Sequence, residues 1–396
     1  MSGKMIKIIN GRVITPGGIL DRGVVLIEDG VIRSVGVEDV LAKGAKIIDA
    51  EGRYVSPGFI DIHVHGGGGF DFMDGHESAF LAIADLHARY GTTAMLPTTL
   101  TASREELLHT LDVYERVLPK NLSGAQFLGM HLEGPYFAMS QRGAQEPRFI
   151  RDPDPAEYME ILEKAHLIKR WSAAPELKGA LEFARVVRER GILVSMAHTD
   201  ALYDEAVKGF EHGYSLATHL YSAMSTVMRR NAYRYAGVVE AAYLIDEMDV
   251  EIIADGKHLP PPLLQLVYKI KGAARTALIT DAMRAAGMPE GKSILGSVQH
   301  GMEVIVEDGV AKLPDRTSFA GSVATADRLV RVMVQEAHIP FLEVIRMITA
   351  TPAAILGLSD SKGSLEQGKD ADVVLFDEDI RIHSTIIKGE LVYAHG

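Results

Sequence analysis

Two histidines two positions apart, His63 and His65, stand between the apolar run Tyr54 to Ile60 and four consecutive glycines, Gly66 to Gly69. On an extended chain alternate side chains share a face, so both imidazoles project to one side and can point at one centre. The glycines let the backbone turn sharply beside that centre without side-chain obstruction. The chain contains no cysteine, which excludes disulfides and thiolate ligands and leaves His, Asp and Glu to bind any metal. An isolated His-x-His also occurs on ordinary half-buried strands, so the case rests on what accompanies it.

Residues of the same chemical kind recur at Glu133, at His198 and His219, in the segment Asp255 to His258, and at Asp281. Each closes a short run with strand character: Phe127 to Leu132, Leu193 to Ala197, Ser215 to Thr218, Val250 to Ala254 and Ala277 to Thr280. Helical patterns separate these runs. Glu77 to Tyr90 places Phe80, Ile83, Ala84 and Leu86 on an inner side, with Gly91 as the C-terminal cap. Further helices are predicted over Arg104 to Leu118, Pro155 to Ala165, Glu176 to Arg190, Pro262 to Lys271, Ala324 to Gln335 and Leu342 to Ile348. Such alternation suits either a doubly wound sheet or an eight-fold (β/α)8 barrel of the TIM type. In a barrel all C-terminal strand ends meet at one mouth, whereas a doubly wound sheet does not gather so many at one point. The polar residues arriving in phase with the β/α rhythm therefore favour the barrel.

The two ends of the chain read differently. Met5 to Ile9, Val24 to Glu28, Val31 to Val35 and Lys46 to Ile48 are short β-like runs, and Asp29-Gly30 between two of them is a strong hairpin signal. Asp372 to Phe376 and Thr385 to Val392 look alike, with Lys388-Gly389-Glu390 as a turn. Neither end can make a stable core alone. The economical arrangement is one small β-sandwich domain from residues 1–56 and 360–396, with the barrel at 57–359 inserted between them. At 396 residues and 47% hydrophobic content the chain can bury a core of this size. A formal net charge of -12 argues against a general nucleic-acid binder or a polybasic membrane anchor. Met228-Arg229-Arg230 is a local basic exception. Met1 to Lys4 lead into a β-like segment rather than an apolar signal, and no apolar run approaches the ~18 residues that a membrane span needs. The expectation is a soluble, cytoplasmic protein.

The residues also carry a resemblance. Gly58 to Gly66, together with Lys362 to Asp372, resembles the amidohydrolase superfamily of metal-dependent barrel hydrolases. His131 to Pro135, Gly143 to Gln145, Ala197 to Ala201, Thr218 to Met224 and Thr280 to Met283 are similar, in the same order, to blocks of its N-acetylglucosamine-6-phosphate deacetylase family. The resemblance covers nearly the whole chain. It implies that Glu133, His198 and His219 hold one metal ion and that Glu133 bridges to a second held by His63 and His65. Because both histidines of the first motif are kept, one or two divalent ions are expected. Zinc suits such a ligand set, and iron or another divalent ion is tolerated by it. His131 has no ligand role in that pattern and is expected to be a buried structural neighbour. An acetamide is a poor electrophile with a poor leaving group, so its hydrolysis needs an activated water and a proton donor. Asp281 is the residue expected to take the proton from water and return it to the departing nitrogen.

For the substrate, the resemblance implies an amino-sugar phosphate held by His258, by the segment containing Ser222 and Ala223, and by an arginine lent by the second subunit of a homodimer with a shared active site. Arg234 matches that arginine best, with Arg229 and Arg230 close by. Ser222 stands where the family has Asn, which removes an amide contact. Gln145 occupies a position that some members fill with His to orient the acetyl carbonyl. Two other readings stay open on sequence alone. One is a different N-acyl substrate on the same fold, such as N-acetylgalactosamine 6-phosphate, an unphosphorylated sugar or an acylamino acid. The other is a non-catalytic assembly protein, against which the retained His63, His65, Glu133, His198, His219 and Asp281 argue.

Overall fold

The structure is a computed structural model that describes residues 4–38 and 40–395; the outermost residues of the expected terminal domain, 1–3 and 396, lie outside the described part. Six parallel strands form one sheet in the order Met130–Glu133, Ile168–Ala173, Leu193–Met196, Tyr214–Ala217, Asp249–Ile253 and Thr276–Ile279. A second parallel sheet pairs Gln126–Phe127 with Thr92–Pro97, and Thr92–Pro97 with Phe59–Val64. Single parallel bridges, Thr98 to His131 and Val64 to Ala282, connect the two sheets. The fold is thus a mixed α/β arrangement around a curled parallel sheet. Phe59–Val64 and Thr92–Pro97 are buried at every position, as expected for parallel strands covered on both faces.

Helices between the strands follow their apolar periodicity and their caps. Arg104–Val117 starts at a reciprocal cap, in which Ser103 Oγ accepts from the Glu106 amide and the Glu106 carboxylate accepts from the Ser103 amide at 3.0 Å. Glu77–Arg89 buries Phe80, Ile83 and Ala84 as expected and ends beside Gly91 at φ 90°. Leu86 is only half-buried, because it lies over the glycine run rather than in the main core. Several expected elements differ in extent. The run Phe127 to Leu132 breaks at Gly129, whose φ of 123° ends one strand before the next begins. Gly179 at φ 86° delays the helix after Glu176 until Ala180. The helix after Pro155 tightens to a 3-10 turn at Leu162, and the one after Ala324 widens to a π-turn over Val332–Glu336.

Both ends of the chain contribute to one eight-stranded sheet. Its order is Glu390–Ala394, Ile382–Ile387, Val373–Phe376, Tyr54–Pro57, Met5–Thr15, Gly18–Glu28 and Val31–Gly36, with Lys46–Asp49 added to Met5–Thr15. Asp29 and Gly30 both have positive φ, 50° and 80°, as do Lys388 and Gly389 at 45° and 72°. These values make two-residue turns whose twist matches the flanking strands. Ile6, Ile8, Val25, Ile27, Val373, Leu375 and Ile386 form a separate aliphatic core here. Lys362 ties this sheet to the preceding loop. Its ammonium donates to Asp370 at 2.8 Å and Asp372 at 2.7 Å, while the Gln126 amide reaches the same Asp372 carboxylate at 2.9 Å.

Two strands of the parallel sheets, Thr92–Pro97 and Ile168–Ala173, have no counterpart among the expected runs. A three-stranded antiparallel sheet, Gly291–Leu295, Met302–Glu307 and Val310–Lys312, is likewise an addition. Among the described residues no helix is long and apolar enough to cross a membrane.

Candidate functional site

Glu133 ends the strand Met130–Glu133 and places its carboxylate among four imidazoles. Its Oε1 lies 3.3 Å from His63 Nε2, 3.4 Å from His198 Nε2 and 3.1 Å from His219 Nε2. Its Oε2 lies 3.5 Å from His65 Nε2. Asp281 Oδ1 completes the cluster at 3.1 Å from His65 Nε2 and 3.6 Å from His63 Nε2. His63, His65 and Glu133 form one group with ligand atoms within 4.8 Å of one another, and Glu133, His198 and His219 form another. Each group is compact enough to hold a metal ion, and the two share Glu133. The donors are all imidazole nitrogens and carboxylate oxygens, the set that suits a borderline divalent ion.

The backbone works to aim these groups. His198, His219 and Asp281 all have left-handed φ, 46°, 33° and 47°, a region that non-glycine residues adopt at a cost and chiefly where surrounding structure holds them. The holding contacts are visible. His198 Nδ1 donates to the Gln141 carbonyl at 2.9 Å, and His219 Nδ1 donates to the Ser222 carbonyl at 3.1 Å. Each bond leaves Nε2 turned to the cluster as a possible ligand. The Asp281 amide donates to the His63 carbonyl at 2.9 Å, and the Asp281 carbonyl accepts from the Ser322 amide at 2.8 Å.

Charge in this buried space is unbalanced in a telling way. Burial disfavours the charged form of His63, but the carboxylates of Glu133 and Asp281 outweigh it and push the imidazole up to about 10. His65 is raised too, burial being overcome by its bond to Asp281 and the Glu133 charge. Burial works to raise Glu133 and Asp281, yet the facing histidines hold both below the usual carboxylate range. Burial prevails at His219 and lowers it. The two carboxylates therefore demand positive charge, which protons or a metal ion can supply.

His131 shares a strand with Glu133 but is otherwise engaged. Its Nε2 lies 2.6 Å from Ser172 Oγ and its Nδ1 3.3 Å from Thr98 Oγ1. Burial and the nearby Arg170 keep it well below the usual histidine range, hence neutral. It is the buried neighbour that the sequence suggested.

A cavity of about 480 Å³ opens beside the cluster and is lined by His65, Glu133, His198, His219 and Asp281. Gln145, Ser222, Ala223 and His258 also line it. Gln145 donates to Glu133 Oε2 at 2.6 Å and accepts from the Thr101 amide at 2.9 Å, so its amide steadies the central carboxylate. His258 Nδ1 donates to Asp255 at 2.9 Å, and its ring packs on Phe319 with centroids 4.7 Å apart. Arg229, Arg230 and Arg234 are not brought into the cavity of their own chain. They stand on an exposed hairpin, Met228–Arg230 with Tyr233–Tyr235, where Arg229 faces Arg234 and Arg230 lies over the Tyr235 ring. Positive charge reaches the cavity instead from Lys312, which ends the added antiparallel sheet, and from Arg316 in the loop that follows it. Glu307 accepts from Arg316 at 2.9 Å, and Asp308 accepts from Lys312 at 2.8 Å. Sequence reading missed both, although the Asp308-Gly309 turn signals the hairpin that carries Lys312.

Residues 54–392 match the amidohydrolase family. The chain is 34% identical over 391 residues to N-acetylglucosamine-6-phosphate deacetylase of Lysinibacillus sphaericus, covering 96% of each. It is 33% identical over 381 residues to N-acetylgalactosamine-6-phosphate deacetylase of Escherichia coli O157:H7, covering 96% of this chain and 97% of that protein. Among solved structures it is similar, at TM-score 0.90 and 30% identity, to N-acetyl-D-glucosamine-6-phosphate deacetylase from Mycobacterium smegmatis, an Asp-to-Ala mutant in complex with N-acetyl-D-glucosamine-6-phosphate. That match covers 99% of this chain and 100% of the other.

Proposed function

This chain belongs to the amidohydrolase family, and on that premise we propose that it hydrolyses the acetamide of N-acetyl-D-glucosamine 6-phosphate, giving D-glucosamine 6-phosphate and acetate in amino-sugar catabolism. The observation that carries this reading is Asp281 standing 3.1 Å from His65 in a cluster of four histidines around Glu133, at the wall of a cavity that also includes His258. His63, His65 and Glu133 are the residues to hold one divalent ion, and Glu133, His198 and His219 a second. Zinc is the first candidate, with iron or another divalent ion compatible. Such an ion, when bound, lowers the pKa of water and polarises the acetyl carbonyl.

The chain's own groups do the rest. Asp281, held below the usual carboxylate range, is ionised and ready to accept a proton from the attacking water. Once protonated it is the donor to the leaving nitrogen, so one carboxylate serves both steps. Gln145 keeps Glu133 from turning, through its 2.6 Å bond. His258 is set by Asp255 for the phosphate, beside Ser222 and Ala223. Arg234, with Arg229 and Arg230, serves the cavity of a partner subunit, since its exposed hairpin is free to reach outward. The architecture inferred to support this chemistry is a (β/α)8 barrel over 57–359 with a small β-sandwich domain from 1–56 and 360–396, in favour of which speak the curled parallel sheet and the sheet that both ends share. The cysteine-free composition suits a cytoplasmic enzyme.

A second reading has its own support. Ser222, which lines the cavity, stands where the resemblance implies an amide side chain, and a relative of nearly equal identity is by its name an N-acetylgalactosamine-6-phosphate deacetylase. The test is acetate release by metal-loaded protein from N-acetylglucosamine 6-phosphate, its galactosamine epimer, unphosphorylated N-acetylglucosamine and N-acetyl amino acids. The proposal expects the highest kcat/KM with the glucosamine 6-phosphate. A higher value with the epimer selects the second reading, and turnover confined to unphosphorylated compounds overturns both.

A further inference from the structure

Beneath the cluster, on the inner side of the parallel sheet, lies a buried ion pair that the reaction scheme does not use. Arg170, in Ile168–Ala173, and Glu251, in Asp249–Ile253, are both fully buried. The guanidinium grips both carboxylate oxygens, one at 2.9 Å. It also donates to Ser195 Oγ at 2.9 Å, Thr218 Oγ1 at 2.7 Å and the Ile62 carbonyl at 3.2 Å. Ile62 precedes His63 and Thr218 precedes His219, so one side chain reaches the neighbours of two candidate ligands.

Glu251 Oε2 stands 3.6 Å from His63 Nδ1, and that nitrogen has no hydrogen-bond partner at closer range. His198 and His219 are served at Nδ1 by backbone carbonyls, and His65 Nδ1 is unpaired. Among the described residues His63 is therefore the one candidate ligand whose far nitrogen has a carboxylate within 4 Å. A buried ion pair is weak as a source of stability, because desolvating both charges offsets their attraction, and apolar side chains of similar volume fill such space as well. The pair's position points to a different use. A histidine that binds a metal through Nε2 carries its proton on Nδ1, and a carboxylate there fixes the ring and strengthens it as a ligand.

We propose that Glu251, anchored by Arg170, is a positioning residue that orients His63 and selectively strengthens metal binding at the His63–His65 side of the cluster. The inference rests on His63 and His65 being metal ligands. Loss of such an outer partner typically weakens metal affinity about 10- to 100-fold.

The experiment titrates the full chain with zinc in competition with a chromophoric chelator and with cobalt followed by its visible spectrum. It compares wild type with Glu251→Gln, with the paired Arg170→Met/Glu251→Leu and with His63→Ala. The expected result is a 10- to 100-fold loss of affinity for one ion in both Glu251 variants, with the other ion bound as in wild type. The paired variant, which leaves no lone buried charge, is expected to melt cooperatively near the wild-type temperature. Unchanged affinity for both ions, or an equal loss of both, overturns the positioning role. If His63→Ala itself retains both ions, it is the ligand reading that fails; if His63→Ala loses one and the Glu251 variants lose none, the ligand reading stands and the positioning role fails. A crystal structure of the zinc-loaded wild type offers a test free of variants. Glu251 is expected within hydrogen-bond distance of His63 Nδ1, and a gap beyond about 3.5 Å overturns the proposal.

Discussion

The terminal sheet hides Ile6, Ile8, Val25, Ile27, Val373 and Leu375 in its core. The mouth of the parallel sheets hides His63, His65, Glu133, His198, His219 and Asp281, with Arg170 and Glu251 fully buried below them. In the first region burial itself is the stabilising event, at roughly 25 cal/mol per Å² of apolar surface. In the second each buried charge raises the free energy until an opposite charge answers it. Left-handed backbone at His198, His219 and Asp281 adds a cost on the order of 1 kcal/mol or more at each. The contrast teaches that one region is complete as folded, whereas the other holds two buried carboxylates that call for positive charge, and substitutions separate the two.

The largest effect is expected at Glu133. Glu133→Gln should abolish turnover and reduce bound metal more than His63→Ala or His65→Ala, measured by elemental analysis of purified protein. Equal metal loss in all three would break the idea of a shared carboxylate. Next, Asp281→Asn should lower kcat by at least about 10²-fold while metal content and melting temperature stay near wild type. Near-native turnover would remove Asp281 from the chemistry.

In the other region Leu375→Ala should cost about 2 to 5 kcal/mol of stability, read by chemical denaturation, with kcat at 25 °C and metal content unchanged. A large drop in kcat in the folded variant would show that the two regions are not independent. Smaller again is the loss at the exposed hairpin. Arg234→Ala should weaken binding of a 6-phosphorylated substrate by about 1.5 to 3 kcal/mol and leave an unphosphorylated analogue unaffected. Mixing it with Asp281→Asn subunits should restore activity in hybrids, and failure of rescue after proven mixing would deny a shared site. The smallest expected effect, taken per pH unit, is that of pH. His63 is pushed up to about 10 in the metal-free chain, so metal must displace its proton. Affinity should rise with pH toward that value, by at most about tenfold per unit for each proton released. Calorimetry in buffers of different ionisation enthalpy would reveal the proton, and a flat pH profile between 6 and 9 would contradict the charge balance at His63.

The parts legible in the sequence were those governed by local periodicity. His63 and His65 share a strand face, Glu133, His198, His219 and Asp281 follow short apolar runs, and Asp29-Gly30 and Lys388-Gly389 declare their turns. Arg170 and Glu251 stayed hidden because a charge inside a strand reads as solvent-facing until its partner, far along the chain, is known. The Ile168–Ala173 strand was missed for the same reason. Left-handed backbone at His198, His219 and Asp281 is imposed by contacts such as the Gln141 and Ser222 carbonyls, and no glycine marks it. Lys312 and Arg316 enter the cavity from a hairpin and the loop after it, which interrupt the β/α alternation, so the rhythm that located the other residues passes them by.

The pairing of Tyr54–Pro57 with Val373–Phe376 joins strands separated by most of the chain. On the ribosome the first strand emerges early and its partner only near the end of synthesis. Until then one edge of the growing sheet is an open template for a neighbouring nascent chain, and the long intervening segment must fold while that edge waits. Translation that stalls before Val373 leaves that edge without its own partner and exposes the product to misassembly.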